Sequence, residues 1–181
     1  LIKSKQLTEY CFDHFYDPRS HLFFFTSDND TKLITRKIER DDNVISSSNS
    51  IMANNLFKLG KYYASSKYND HAETMLNNVK SNAVRYGAGA SNWLNLYLNF
   101  IGEYYEIAIC GDNAERMVKE LNTHYLPNKL VAGNKKASQL PLLQDRFQKD
   151  ITNIYICIEG ACKLPVTEIK KAVKELDIRY K

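Results

Sequence analysis

Apolar residues recur every three or four positions through the first hundred residues, which is the spacing of amphipathic helices. The pattern predicts four helices, over residues 3–16, from about residue 50 to 63, from Asp70 onwards, and over residues 93–101. Asn49 or Ser50 can cap the second helix, and Gly102 ends the fourth. Short connections between helices favour an antiparallel arrangement. The first half is therefore expected to consist of successive helical hairpins.

One part of this half has a different pattern. Residues 22–26 and 32–37 are rich in β-branched and aromatic side chains, and the Ser-Asp-Asn-Asp segment at 27–30 lies between them. Such runs around a polar turn are typical of a β-hairpin. We therefore predict a β-hairpin insertion near residues 22–37, followed by a polar loop over residues 39–48.

The second half changes period. Short apolar runs predict strands over residues 106–110, 129–132 and 153–158, and helical stripes lie over residues 114–121 and 167–176. Pro141 can start a short helix between the second and third strands. Strands that alternate with helices favour a small three-stranded parallel sheet. Cys110 and Cys157 would then lie at the same edge of that sheet.

The predicted fold class is mainly α with a small α/β part. The predicted organisation is a helical region over residues 1–103 and a small α/β unit over residues 104–181.

Composition excludes several classes of protein. Of the 181 residues, 44% are apolar and 12% aromatic, which is too many for a disordered chain. The net charge of +4 is modest, and the lysines of the last helix are spaced for local pairs with glutamates, so we expect neither a nucleic-acid nor a membrane partner. The sequence begins without a signal-peptide pattern, and we expect a cytoplasmic protein.

Several segments, taken in order, resemble one family. They are Phe-Phe-Phe-Thr at 23–26, Leu-Ile-x-Arg-Lys at 33–37, residues 42–56, Tyr-Glu-Ile-Ala-Ile-x-Gly at 105–111, Tyr-Leu-Pro-Asn-Lys at 125–129, and Tyr-Ile-Cys at 155–157 with Cys-x-x-Pro-Val at 162–166. Their order and spacing resemble the C-terminal part of spermatogenesis-associated thioredoxin-domain proteins, which join a thioredoxin-like domain to an α/α-toroid. That toroid is of the N-acylglucosamine 2-epimerase and six-hairpin glycosidase type.

The resemblance implies that the helices are the last hairpins of a toroid. A closed toroid needs on the order of 300 residues, so the chain is expected to be the tail of a longer protein. Its partners would be the thioredoxin-like and toroid regions of the same protein. Helical faces meant for the other hairpins could instead pair two copies as a homodimer.

In a toroid, loops at one rim line the central cavity, so the polar residues around the 39–48 loop are candidate ligand-binding residues. They are Arg36, Lys37, Glu39, Asp41, Asp42, Ser48 and Asn49, with Arg40 beside them. Guanidinium, carboxylate, amide and hydroxyl groups bind sugar hydroxyls or phosphate, and Arg36 and Asn49 are the first residues expected to bind. The alternative interpretation is an exposed charged loop with a helix cap at Asn49.

No catalytic residue can be assigned. Epimerases of this type use histidines as acid and base, but His14, His21, His71 and His124 stand in unrelated local sequences. No cofactor motif is evident, and no second cysteine pair or spaced histidine completes a metal site with Cys157 and Cys162.

Cys157 and Cys162 are spaced more widely than the pairs of zinc ribbons and thioredoxins. Reduced thiols are the default in a cytoplasmic protein. The two cysteines are either a redox pair that exchanges with a thioredoxin-like domain or small buried side chains that pack the sheet.

The sequence thus predicts a carbohydrate-associated region that is non-catalytic on its own. The alternatives are sugar isomerisation or glycoside cleavage in the full-length protein, and a module for protein interaction or redox partnership.

Overall fold

A computed structural model describes residues 1–31 and 34–176. The chain divides into two compact units. The first unit comprises Leu1–Gly60 and Ser65–Ile101, and the second comprises Lys61–Ala64 together with the residues from Gly102 onwards. The prediction of a mainly helical chain with a small α/β part is confirmed.

The first unit is built from four helices. These are α1 (Ile2–Phe15), α2 (Ser48–Tyr63, whose last three residues belong to the second unit), α3 (Ser66–Tyr86) and α4 (Ser91–Ile101), with a 3-10 turn at Gly87–Ala90 between α3 and α4. α3 begins four residues earlier than the predicted start at Asp70. Its buried residues recur at helical spacing, and with Leu56, Trp93 and Leu96 they form the core of this unit.

The two runs of the predicted hairpin at residues 22–37 are joined by a backbone hydrogen bond from the Phe25 N–H to the Lys37 carbonyl at 2.8 Å, but the strand pairing of this region is a different one. Strand β2 (Leu22–Phe23) pairs antiparallel with β1 (Tyr16–Asp17), which lies before it in the chain. The Asp17 carboxylate accepts hydrogen bonds from the Ser20 hydroxyl and the Arg19 backbone N–H, and these close a tight local turn. Residues 32 and 33 of the predicted partner run lie outside the described residues, and residues 34–37 form no strand.

The second unit contains a four-stranded mixed sheet in the order β4-β3-β5-β6. Its strands are β3 (Tyr105–Cys110), β4 (Lys129–Asn134), β5 (Asn153–Ile158) and β6 (Ala161–Cys162), and its helices are α5 (Ala114–Leu121) and α6 (Ile169–Leu176). All six residues of β3 are buried, and Tyr105, Ile107 and Ile109 form the core of this unit with the apolar faces of α5 and α6.

The prediction of three parallel strands is therefore wrong. Strands β3 and β4 are parallel across the α5 crossover, but β5 runs antiparallel to β3. A strand β5 parallel to β3 would need a crossover connection, which is usually a helix. The stretch after Pro141 forms turns where we predicted a short helix. As a result Cys110 lies opposite Asn153, whereas Cys157 lies opposite Glu106 at the other end of β3. The two cysteines do not share an edge.

Candidate functional site

An open groove lies in the first unit between Phe25 and the loop of residues 37–48. Its volume is about 890 Å³, which is large enough for a small-molecule ligand. Most of the residues predicted to bind a ligand lie in or beside this loop. The structure divides them into those whose polar atoms are engaged within the chain and those whose polar atoms face solvent.

Asp42 holds the 37–48 loop against the starts of two helices. Its Oδ1 accepts hydrogen bonds from the Ser47 backbone N–H at 3.0 Å and from the Ser50 hydroxyl at 2.5 Å. Its Oδ2 accepts a hydrogen bond from the backbone N–H of Asn92 at 2.9 Å. Burial raises the pKa of Asp42, but these hydrogen bonds outweigh burial and hold the pKa below its ordinary value. Asp42 is thus a carboxylate that shapes the loop.

Asn49 is also engaged within the chain. It is fully buried in the first turn of α2, where its Oδ1 accepts a hydrogen bond from the Phe23 backbone N–H at 2.7 Å. Its Nδ2 donates to the backbone carbonyls of Phe23 at 2.8 Å and Glu39 at 2.7 Å. Asn49 therefore joins β2 and the loop to α2. The cap of α2 is supplied by Ser47, whose Oγ accepts from the Ser50 backbone N–H at 3.0 Å.

Arg36 lies away from the groove. Its Nε donates to the Thr26 carbonyl at 3.2 Å and its Nη2 donates to the His14 carbonyl at 3.0 Å. The guanidinium also lies 4.2 Å from the centre of the Phe24 ring. The structure places Arg36 as a tie between backbone segments, although we expected it to be among the first residues to bind a ligand.

The remaining predicted residues present free polar groups to the groove. Lys37, Asp41 and Ser48 are exposed, and Glu39 is half-buried. Arg40 lines the same groove and is exposed. In the part of the chain that the structure describes, none of these five side chains makes a hydrogen bond or an ion pair. Two cations and two carboxylates are therefore available to a ligand.

The groove also has an apolar wall that the sequence reasoning missed. Phe25, which lines the groove, is 59% exposed, and Val44 and Ile45 are exposed on the loop. Phe25 stood out only as part of the aromatic run at 23–25. No local pattern distinguishes the exposed phenylalanine of that run from Phe23, which is buried.

None of the four histidines, all of which lie among the described residues, lines the groove. His14 contacts Asp28 at 2.9 Å, His21 bonds to the Tyr16 hydroxyl at 2.8 Å, and His71 bonds to a backbone carbonyl within α3. Among the described residues, no group of three or more His, Cys, Asp or Glu side chains could hold a metal ion.

Cys157 and Cys162 form a disulfide in the second unit, where we expected reduced thiols by default. They are directly opposite each other on β5 and β6, which brings their sulfur atoms together. Arg146 donates to both sulfurs, from Nη1 to Cys157 Sγ at 3.3 Å and from Nη2 to Cys162 Sγ at 3.2 Å. No sequence signal identified Arg146, because the loop that carries it returns to the hairpin only in three dimensions.

Two further thiols are free, and they differ from this pair. Cys110 is fully buried, and burial raises its pKa to about 11. Cys11 is half-buried in α1, and burial raises its pKa as well. Both thiols are therefore poor nucleophiles at neutral pH.

Comparison of the chain with protein-family models, with curated proteins and with solved structures gives no match. Across residues 1–31 and 34–176, no helix has the length and apolar character required to cross a membrane. The groove and the disulfide are therefore interpreted from their own chemistry.

Proposed function

We propose that the first unit binds a carbohydrate in the groove between Phe25 and the 37–48 loop, as part of an α/α-toroid of the N-acylglucosamine 2-epimerase type. The observation that carries this proposal is the combination of an exposed aromatic side chain with four unpaired charged side chains around one groove. Sugars have apolar ring faces and dense hydroxyl groups, and they require both kinds of contact.

The charge of the groove favours an uncharged ligand. Lys37 and Arg40 offset Glu39 and Asp41, so the free side chains carry no net charge. Charged groups make stronger hydrogen bonds than neutral ones, and hydroxyls can both donate to carboxylates and accept from cations. A neutral polyhydroxy compound therefore suits these groups better than a phosphate or a nucleic acid.

The toroid part of the proposal rests on the resemblance and on exposed apolar side chains of the helices. Leu7 and Tyr10 on α1, and Leu98 and Ile101 on α4, are each about half exposed or more. Thr8 is the only buried residue of α1. Faces of this kind are what further helical hairpins would cover.

Isothermal titration calorimetry with a panel of neutral and N-acetylated monosaccharides tests the binding proposal. We expect at least one sugar to bind the 181-residue chain and Arg40→Gln to weaken that binding by about tenfold, since a charged hydrogen bond is lost. Arg85→Gln is the matched control, because Arg85 is exposed on α3 outside the groove. If no sugar binds, or if the two variants bind equally well, the proposal is wrong.

A catalytic role for the groove is a second candidate, and one observation favours it. Glu39 and Asp41 are two unpaired carboxylates in the same groove, and acid/base cleavage of a glycoside uses a carboxylate pair. Glu39→Gln and Asp41→Asn should each abolish sugar turnover by the full-length protein while leaving binding within a few-fold. Activity that survives both substitutions would exclude this candidate.

The exposed helical faces favour a third candidate, association with protein. The occupant that we propose is the rest of a toroid, or a second copy of the chain where that region is absent. Sedimentation velocity of the 181-residue chain should then show a dimer that Leu7→Gln or Leu98→Gln weakens. A chain that stays monomeric at every concentration would exclude the homodimer.

A further inference from the structure

The disulfide of the second unit closes an unusually small loop. Only Glu159 and Gly160 lie between Ile158 and Ala161, which are themselves paired across the hairpin. Both turn residues have positive φ, 49° and 78°, as a two-residue hairpin turn requires. The stabilisation that a disulfide gives grows with the logarithm of the length of the loop that it closes, so this bond adds less than a bond between distant segments would.

The two sulfurs differ in access. Cys162 is exposed on β6, the edge strand of the sheet, whereas Cys157 is 1% exposed on β5. Thiol–disulfide exchange requires in-line approach of a thiolate to one sulfur. The approach from solvent is therefore to Cys162, and Cys157 becomes the leaving group.

Arg146 lies where the leaving group needs a cation. Its Nη1 is 3.3 Å from Cys157 Sγ, so the guanidinium would donate to the thiolate as it forms. A neighbouring cation lowers the pKa of a thiol, and a leaving thiol of lower pKa departs faster. The Arg146 side chain is positioned by Tyr155, whose ring centre lies 5.1 Å from the guanidinium carbon and whose hydroxyl donates to the Arg146 carbonyl at 3.4 Å.

We propose that Cys157–Cys162 is a thiol–disulfide exchange site that accepts two electrons from an external dithiol, with Cys162 as the attacked sulfur, Cys157 as the leaving group and Arg146 as the residue that stabilises the leaving thiolate. This inference is independent of the proposed sugar groove, since all of its residues belong to the second unit.

The exchange balances in two steps. A thiolate of the donor forms a bond to Cys162 Sγ, the Cys157–Cys162 bond breaks, and its electron pair goes to Cys157. The second thiolate of the donor then attacks the donor sulfur of the mixed disulfide and releases Cys162. The donor dithiol is oxidised to a disulfide and loses two protons, and the protein disulfide is reduced to two thiols.

Peptide mapping follows the reaction in the intact chain. Cleavage after Lys149 and Lys163 releases residues 150–163, which contain both cysteines, while Cys11 and Cys110 fall on other peptides. The native protein is reduced with dithiothreitol, quenched in acid, labelled with a maleimide and digested. We expect residues 150–163 to gain two labels under native conditions, at a rate far above that of global unfolding.

Substitutions at position 146 test the role of the guanidinium. Arg146→Gln should slow native reduction by about three- to tenfold, and Arg146→Lys should retain more of the rate because it keeps the charge. Arg116→Gln is the matched control, because Arg116 lies on the exposed face of α5 and pairs with Glu120. Thermal unfolding of each variant identifies any loss of folding.

Single cysteine variants test the direction of attack. With Cys157→Ala, Cys162 should form a mixed disulfide with an aromatic disulfide reagent, whereas with Cys162→Ala, Cys157 should react far more slowly. The proposal is overturned if the pair is found as free thiols without reductant, if reduction occurs only at the unfolding rate, or if Arg146→Gln and Arg116→Gln are reduced equally fast.

Discussion

Asp42 accepts a hydrogen bond from the backbone N–H of Asn92, so the groove loop is fixed to the first turn of α4, fifty residues further along the chain. The same carboxylate accepts bonds from Ser47 and Ser50 at the start of α2. One buried negative charge therefore lies at the starts of two helices, where the helix dipole also favours it. The shape of the groove depends on this carboxylate.

Asp42→Asn should lower the free energy of unfolding by about 2–4 kcal/mol, because it removes the charge and, in either orientation of the amide, places an N–H donor against the backbone N–H of Ser47 or Asn92. Urea denaturation at pH 7 measures the loss. Asp41→Asn is the control, since the Asp41 side chain is exposed and unpaired in the described structure, and it should change stability by less than about 0.5 kcal/mol. Equal effects of the two substitutions would contradict the role assigned to Asp42.

The same carboxylate predicts a dependence on pH. The pKa of Asp42 is lower in the folded protein than in the unfolded chain, where it is about 3.9. Its contribution is therefore fully present above the unfolded pKa and is lost as the pH falls through the folded pKa. Urea denaturation from pH 7 to pH 3 should show that the difference in stability between wild type and Asp42→Asn shrinks as the pH falls below the unfolded pKa. A constant difference across that range would show that the charge contributes nothing.

Asn49→Asp should destabilise the protein by about 2–3 kcal/mol. The aspartate keeps the acceptor for the Phe23 N–H but places a carboxylate oxygen against the carbonyls of Phe23 and Glu39. Asn43→Asp is the matched control, because Asn43 is exposed and its Oδ1 accepts a bond that aspartate can also accept. Thermal unfolding compares the two, and a small effect at position 49 would count against its structural role.

Lys61 and Glu106 form an ion pair at 3.2 Å, with side chains only 13% and 6% exposed. Lys61→Met or Glu106→Gln should each cost about 3–5 kcal/mol, because each removes one member of a buried ion pair. The double substitution should cost less than the sum of the two, and denaturant unfolding of all four proteins gives the coupling energy. Strict additivity would show that the pair contributes no net interaction.

Gly111 has φ of 140°, and a Cβ atom there would lie 2.3 Å from the Ile151 carbonyl oxygen. Gly111→Ala should therefore destabilise the protein by more than about 3 kcal/mol, through both overlap and backbone strain. Gly160→Ala is the control, because Gly160 also has positive φ but an added Cβ meets nothing within 4 Å. It should cost only about 1 kcal/mol in chemical denaturation. Similar losses would show that the close approach at Gly111 is unimportant.

α3 could be predicted from the sequence because it buries a regular stripe that includes Met75, Leu76 and Val79. The partner of β2 could not, because β1 is only two residues long and carries no pattern of its own. The direction of β5 could not be predicted either. An apolar run indicates a strand, but direction depends on a connection whose residues 141–145 form turns where we expected a helix.

For the candidate site, the sequence indicated the right segment but not the state of each side chain. Arg36 and Asn49 have the chemistry of ligand-binding residues, and the same donors and acceptors also satisfy backbone groups. Whether such a side chain binds a ligand or a backbone group depends on the carbonyls that folding brings close to it, such as the Glu39 carbonyl beside Asn49. The role of Arg146 could not be predicted either, because folding brings it to the sulfur atoms of residues that lie 11 and 16 positions further along the chain.

The burial of β3 between β4 and β5 has a consequence for synthesis of the protein. At about 5–20 residues per second, the ribosome needs roughly 2–8 s to add residues 111–152, which separate the end of β3 from the start of β5. Throughout that interval one edge of a strand that is buried in the folded protein has no native partner, and unpaired edges are where chains aggregate. The nascent second unit should therefore be a substrate for chaperones until Ile158 has left the exit tunnel.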